Sequence, residues 1–126
     1  MSARVLLVDD DPQVLKLLRL NFEMEGYDVE VATDGAAALA AIDRRRPDAV
    51  VCDVMMPGMD GLAVVRRLRA DPETAAVPIV MVSAKAQLAD VRAGAEAGAD
   101  EYVTKPFDPQ DVLDAVARLL DSGPGD

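Results

Sequence analysis

Five polar side chains follow apolar segments of the sequence at the points where those segments end. They comprise three carboxylates, one hydroxyl and one ammonium group, which are Asp9, Asp10, Asp53, Ser83 and Lys105. If the apolar segments are parallel strands, their carboxyl ends meet at one edge of a sheet, which is where open α/β sheets bind ligands. The sequence therefore predicts that these five side chains share one shallow crevice.

The three carboxylates predict a site for a hard divalent cation. Carboxylates that cluster without a cation repel one another, and some of them take up protons. Magnesium prefers oxygen ligands and keeps several waters, so two carboxylates and a carbonyl oxygen leave room for a phosphoryl group. One carboxylate can then attack phosphorus while the metal and Lys105 neutralise charge on the equatorial oxygens, and Ser83 can bond a phosphoryl oxygen. The residues indicate a magnesium-assisted phosphoryl acceptor on an aspartate.

Apolar runs alternate with segments of helical periodicity along the chain. Strands are predicted at Val5–Val8, Val29–Ala32, Ala49–Cys52, Ile79–Val82 and Tyr102–Thr104. Their nearly continuous apolar character is typical of strands that are covered on both faces, which places Cys52 in the core. Asp11 followed by Pro12 predicts the cap and the first turn of the first helix. Strict alternation predicts an α/β fold with a parallel sheet and helices on both faces.

Length and composition exclude several classes of function. The 126 residues correspond to about one domain. A net charge of −10 argues against a general affinity for nucleic acid or anionic lipid, and no apolar run is long enough to span a membrane. A single cysteine fits a reducing compartment, and the absence of histidine excludes serine–histidine catalysis and phosphohistidine on this chain. We therefore expect a cytoplasmic domain that binds neither nucleic acid nor membrane directly.

Four segments of the sequence carry a family resemblance. They are Val8-Asp9-Asp10, Cys52-Asp53-Val54-Met55-Met56-Pro57-Gly58-Met59-Asp60-Gly61, Val82-Ser83-Ala84 and Tyr102-Val103-Thr104-Lys105-Pro106-Phe107. In this order and spacing they resemble the receiver domain of bacterial two-component response regulators, of which the chemotaxis receivers are one type. The resemblance implies a flavodoxin-like fold with strand order 2-1-3-4-5. It also implies one domain at residues 1–121, with a flexible tail or the start of a linker at 122–126.

The resemblance assigns a role to each matching residue. Asp53 would be the phosphoacceptor. Magnesium, for which manganese can substitute, would be bound directly by Asp10, Asp53 and the backbone carbonyl of Met55, and through water by Asp9. Phosphate binding and switching would involve Ser83, Ala84, Lys105 and Tyr102, with the hydroxyl moving toward the phosphoryl group and the aromatic ring following inward. The peptide bond before Pro106 is expected to be cis.

The function that the resemblance implies is a phosphorylation switch. A histidine kinase or a histidine phosphotransfer protein would donate the phosphoryl group, and the fourth helix, fifth strand and fifth helix would present a changed surface to a downstream protein or effector domain. The domain would assist its own phosphorylation and dephosphorylation without being an enzyme. A phosphorylation-dependent homodimer is left open at this point.

Other functions fit the residues less well. A magnesium phosphatase with an aspartyl-phosphate intermediate would carry a second acid two residues after its nucleophile, where this chain has Met55. A nucleotide- or flavin-binding module would need glycines in the first strand–helix turn, where this chain has acids. A receiver that serves as an unphosphorylated docking scaffold remains an alternative, although an intact acidic site with a lysine gives no reason to prefer it.

The sequence also predicts how the surface is used. The first helix has more apolar residues than one stripe facing a sheet requires, so we expect Leu15 or a neighbour to be exposed and to dock kinase helices. From residue 90 onward, nine acidic residues stand against three basic ones, which predicts an acidic output surface. The arginines at 44–46 and 66–69 are interpreted as solvated helix faces or ends.

Overall fold

Five strands and five helices alternate along the chain. The strands are β1 (Arg4–Val8), β2 (Asp28–Ala32), β3 (Ala49–Asp53), β4 (Ile79–Ser83) and β5 (Glu101–Thr104). The helices are α1 (Pro12–Met24), α2 (Gly35–Arg44), α3 (Gly61–Ala70), α4 (Leu88–Ala97) and α5 (Pro109–Ser122). The computed structural model describes residues 2–122, so the predicted tail lies outside the described residues except for Ser122, which ends α5. Each predicted strand lies within one residue of the observed one at both ends.

All five strands are parallel, and their order in the sheet is β2-β1-β3-β4-β5. The predicted flavodoxin-like topology is therefore confirmed. Because β1 lies beside β3 and β4 beside β5, the four strands that end in the singled-out polar residues are neighbours, and their carboxyl ends share one edge. Within residues 2–122, no helix is both long and apolar enough to cross a membrane.

Two apolar cores cover the two faces of the sheet. Alternate residues of β1 show the division, because Val5 and Leu7 pack into the core formed with α1 and α5. Leu6 and Val8 pack into the opposite core, formed with α2, α3 and α4, and this second core also contains the buried thiol Cys52. Apolar side chains are needed on both faces, which is why the strands read as continuous apolar runs.

One surface prediction holds and another needs correction. Leu15 is only 6 % exposed and belongs to the core on its face of the sheet, whereas its neighbours Leu17, Leu20 and Met24 are exposed, so the exposure expected at Leu15 or a neighbour is found at the neighbours. Arg69 is not solvated as the arginine clusters were expected to be, because it donates hydrogen bonds to backbone carbonyls and to Asp100. Leu15 is buried because of the rotation of α1 about its own axis. Arg69 is hydrogen-bonded because loops near the end of α3 bring carbonyl groups to it.

A glycine allows α3 to begin against the end of β3. The Gly61 N–H donates to the carbonyl of Val54 at 2.9 Å, and a Cβ at Gly61 would overlap the backbone carbonyl oxygen of Asp53. Asp60 caps the same helix by accepting a hydrogen bond from the Ala63 N–H at 2.9 Å. The backbone that carries Asp53 is therefore held directly by the first turn of α3.

The substitution Gly61→Ala tests this contact. We expect it to lower the free energy of unfolding by about 2–4 kcal/mol, because the added methyl group must displace the backbone of Asp53. Ala63→Gly weakens the same helix without touching that backbone and should cost only about 1 kcal/mol. Urea unfolding followed by circular dichroism measures both variants, and equal losses in the two would contradict the steric argument.

Candidate functional site

Three carboxylates converge at the carboxyl edge of the sheet. Asp9 and Asp10 follow β1, and Asp53 is the last residue of the neighbouring strand β3. One carboxylate oxygen from each residue lies within 4.8 Å of the others, which is close enough for all three to share one metal ion. Asp9 and Asp53 are buried, whereas Asp10 is exposed. The structure therefore brings together the three acids that the sequence singled out.

Lys105 contacts two of these carboxylates from the segment after β5. Its Nζ lies 2.9 Å from Asp9 Oδ2 and 3.4 Å from Asp53 Oδ2. The Lys105 N–H donates to the carbonyl of Ser83 at 2.7 Å, and the peptide bond to Pro106 is cis. The ammonium group is thus slightly closer to Asp9 than to Asp53, the expected phosphoacceptor.

Backbone N–H groups orient the two buried carboxylates. The Asp11 N–H donates to Asp9 Oδ1 at 2.9 Å, and the Met55 N–H donates to Asp53 Oδ1 at 3.3 Å. Asp11 itself caps α1 by accepting from the Gln13 N–H at 2.9 Å, which is the role the sequence predicted for it. In each case the N–H two residues after the acid orients one of its carboxylate oxygens.

The charges at this site are not balanced. Burial, together with the negative charge on Asp9, raises the pKa of Asp53 to about 6, although the ammonium of Lys105 and the Met55 N–H act in the opposite direction. Burial lowers the pKa of Lys105, but its hydrogen bond to Asp9 and the charges of both acids outweigh that effect and raise it. Three carboxylates face one ammonium group, and a divalent cation would supply the missing positive charge.

Ser83 and Tyr102 are linked through the backbone of one loop residue. Ser83 is fully buried at the end of β4, and its Oγ accepts a hydrogen bond from the Lys85 N–H at 3.1 Å. The hydroxyl of Tyr102 donates to the carbonyl of Lys85 at 2.7 Å. The sequence carried no signal for this link, because it uses only main-chain atoms of Lys85.

The surroundings of the acids are open to solvent. A cleft of about 460 Å³ lies beside them and includes Asp10, Met55 and Lys85 in its lining. The Met55 side chain is exposed, and so is Ala84, the residue after Ser83. The cleft therefore leads from solvent to Asp10, at the edge of the acidic cluster.

Comparison with known proteins gives a consistent set of relatives. A family model described as the response regulator receiver domain matches residues 5–117. The DNA-binding response regulator MtrA of Mycolicibacterium smegmatis is 48% identical over 120 residues, covering 95% of this chain and 51% of that protein. The transcriptional regulator RpaA of Synechocystis is 44% identical over 117 residues, covering 93% of this chain and 48% of that protein. This chain thus spans about half the length of these curated relatives.

Solved structures give the same result. The crystal structure of a putative response regulator from Chloroflexus aurantiacus superposes with a TM-score of 0.92 at 40% identity, covering 96% of this chain and 99% of that one. A CheY-like receiver domain protein from Methanospirillum hungatei superposes with a TM-score of 0.90 at 30% identity, covering 97% of this chain and 96% of that one. The similarity therefore extends over nearly the whole fold.

The substitution Asp53→Asn tests the charge imbalance through the pH dependence of stability. The pKa of Asp53 is about 6 in the folded protein and 3.8 in the reference state, so the folded state loses stability as the pH rises through this interval. We expect the metal-free variant to exceed the wild type in free energy of unfolding by about 1–3 kcal/mol at pH 7 and to match it near pH 4. Urea unfolding in EDTA at both pH values measures the difference.

Asp11→Asn is the matched control, because it removes a neighbouring acid that lies outside the cluster and Asn also caps helices. Its difference from the wild type should be similar at the two pH values. An Asp53→Asn protein that is no more stable than the wild type at pH 7 would contradict the electrostatic account.

Proposed function

Because this chain belongs to the family of response regulator receiver domains, we propose that it is a phosphorylation switch whose phosphoacceptor is Asp53. The observation that carries the proposal is the convergence of Asp9, Asp10 and Asp53 around Lys105 at one edge of the sheet. A buried carboxylate beside an ammonium group and two further acids suits a site that binds a metal and accepts a phosphoryl group.

The acids are suited to hold magnesium, with manganese as a substitute. Direct ligands would be Asp10, Asp53 and the backbone carbonyl of Met55. Asp9 would act through water, which agrees with its carboxylate being engaged already by Lys105 and by the Asp11 N–H. When bound, magnesium would neutralise the carboxylates and charge on the phosphoryl oxygens.

Phosphoryl transfer would proceed by attack of a carboxylate oxygen of Asp53 on the phosphorus of a phosphohistidine. The P–O bond to Asp53 forms as the P–N bond breaks, and the imidazole of the donor leaves with the electron pair and takes up a proton. Lys105, with Nζ 3.4 Å from Asp53 Oδ2, would neutralise a phosphoryl oxygen from its side of the site. The donor would be a histidine kinase or a histidine phosphotransfer protein, because this chain contains no histidine.

Phosphorylation would be read out through Ser83, Ala84, Lys85 and Tyr102. A phosphoryl oxygen would accept hydrogen bonds from the Ser83 hydroxyl and the Ala84 N–H. Movement of Ser83 Oγ toward the phosphoryl group would lengthen the hydrogen bond that Oγ accepts from the Lys85 N–H. Movement of Lys85 would change the acceptor of the Tyr102 hydroxyl, so the ring would repack. The surface of α4, β5 and α5 would then differ between the two states and bind a downstream protein or effector domain.

The remaining assignments follow from this proposal. Residues 1–121 would form one cytoplasmic receiver domain that regulates without being an enzyme. The relatives MtrA and RpaA are named as DNA-binding proteins, and this chain covers only about half of each. With a net charge of −10, the receiver part itself is a poor ligand for DNA, so the DNA contact of a longer protein would lie outside it.

Phosphorylation of Asp53 is tested with a small phosphoryl donor. Wild-type protein incubated with acetyl phosphate and magnesium should gain one phosphoryl group by intact mass, and EDTA should abolish the gain. Asp53→Ala should gain none because the nucleophile is missing, whereas Asp11→Asn should be modified like the wild type. Labelling of Asp53→Ala would place the acceptor elsewhere, and a wild type that binds its partners without ever being labelled would favour the docking scaffold.

Helix α1 offers a surface for the phosphoryl donor. Leu17, Leu20 and Met24 are exposed at spacings of three and four residues, so they form one stripe along the helix. Leu20 is 56% exposed and Met24 is 76% exposed. The amino end of α1 directly follows Asp9 and Asp10, so a partner helix that lies along this stripe reaches the acids at one end.

The substitution Leu20→Asp tests this docking surface. We expect it to slow phosphotransfer from a histidine kinase that phosphorylates the wild type by about tenfold or more, because a charge would be buried in an apolar contact. Leu88→Asp, an equally exposed leucine on α4, is the control and should leave the rate unchanged. Both variants should react with acetyl phosphate like the wild type. Equal effects of the two substitutions on phosphotransfer would contradict docking at α1.

A further inference from the structure

The two halves of α4 differ in how far their residues are buried. No residue from Leu88 to Ala93 is buried, and Leu88 is 65% exposed. The buried residues of this helix are Gly94 and Ala97, both in the carboxyl half. At the amino end, the Gln87 N–H donates to the carboxylate of Asp90 at 3.3 Å in an exposed position. The fold therefore packs the carboxyl half of α4 and leaves the amino half on the surface.

A single arginine from α3 binds the carboxyl end of α4. Arg69 Nε donates to the carbonyl of Gly98 at 2.9 Å, and Nη1 donates to the carbonyl of Val77 at 2.6 Å. Its Nη2 donates to Asp100 Oδ2 at 2.9 Å, and the same carboxylate oxygen accepts from the Ile79 N–H at 2.8 Å. One planar guanidinium thus ties the cap of α4 to the beginnings of β4 and β5.

Gly98 fits this arrangement in two ways. It ends α4 in the left-handed conformation, with φ at +119°, which glycine adopts without strain. A Cβ at this position would lie 2.6 Å from Cγ of Arg69, so any other residue would push the arginine stem aside. We call the contact of Arg69 with Gly98 and Asp100 the α4 anchor.

The amino half of α4 follows the loop after β4, in which the backbone of Lys85 links Ser83 to Tyr102 by hydrogen bonds. Lys85, whose N–H and carbonyl hold those two side chains, lies three residues before Leu88. A displacement of this loop is therefore passed along the chain to the unburied amino half of α4. At the other end, the α4 anchor connects the helix to the beginnings of β4 and of the edge strand β5. Strand β4 resists movement because it is buried and paired with a neighbour on each side.

We propose that α4 is a lever whose fixed pivot is the α4 anchor. The inference rests on the proposed function only in that phosphorylation of Asp53 supplies the displacement of the loop. The amino half of α4, with Leu88 on its surface, swings relative to the sheet, whereas Gly94–Asp100 keep their positions. Within the output surface of α4, β5 and α5, the part of α4 that distinguishes the two states is then its amino half, and Arg69 is the residue that confines the change in α4 to that half.

Hydrogen exchange in the absence of any ligand tests the anchor. In the wild type, amides of residues 85–92 should exchange at least about tenfold faster than those of 94–100. Arg69→Met should accelerate exchange at 94–100 by about tenfold and remove most of that difference. Arg118→Met is the matched control, because Arg118 pairs at 2.6 Å with Glu101, the neighbour of Asp100, and its hydrogen bonds within residues 2–122 go to Glu101 rather than to α4. It should leave both segments unchanged.

Hydrogen exchange with magnesium and beryllofluoride, a phosphoryl mimic, tests the lever. The wild type should change exchange at 85–92 by about fivefold or more and at 94–100 by less than about twofold. In Arg69→Met, the change in amide exchange should extend through residues 94–100. In Arg118→Met, it should stay confined to residues 85–92. Arg69→Lys keeps the positive charge but lacks the planar guanidinium and its several N–H donors. It provides the same comparison if Arg69→Met does not fold.

The outcomes separate the lever from the switch. A wild type that binds beryllofluoride and changes both segments of α4 equally would overturn the lever while leaving the switch intact. An Arg69→Met protein that is folded and still confines the change to residues 85–92 would also overturn it. A wild type that does not bind beryllofluoride and shows no change in either segment would instead overturn the proposed function, and the anchor would then be judged by exchange without ligand alone.

Discussion

Electrostatic repulsion among three carboxylates at one edge of the sheet is the constraint around which this molecule is arranged. Asp9 and Asp53 are buried close together, and the ammonium group of Lys105 compensates for only part of their charge. Such a site is unfavourable for folding, so the rest of the fold has to hold it in place. The two apolar cores and the close contact of α3 with the end of β3 provide that support.

Much of the fold and of the candidate site could be predicted from sequence, for identifiable reasons. Strands β1, β3 and β4 are buried on both faces and therefore leave continuous apolar runs, and the ends of all five strands were located to within one residue. Because parallel strands end at the same edge, Asp53 and Lys105 could be expected to meet although they are far apart in sequence. The capping role of Asp11 could be predicted because Asp followed by Pro is typical of the first residues of a helix.

Other features could not be predicted because they depend on rotation or on the backbone. Whether Leu15 or Leu17 faces the sheet is set by the rotation of α1, and a helix with apolar residues on more than one side does not fix that rotation. Arg69 has the residue type of a solvated helix end, yet its acceptors are mostly carbonyls of loops, whose positions no local pattern gives. The link from Ser83 to Tyr102 could not be predicted for the same reason, because it passes through the backbone N–H and carbonyl of Lys85.

The burial of Cys52 has a practical consequence. It is the sole thiol of the chain, it lies wholly inside the core between the sheet and α2, α3 and α4, and burial and the charge of Asp53 raise its pKa. A thiol that is both inaccessible and protonated does not react with alkylating reagents while the protein is folded. A cysteine introduced on the surface would thus be labelled selectively, so a spectroscopic probe can be attached to any helix without first removing the native residue.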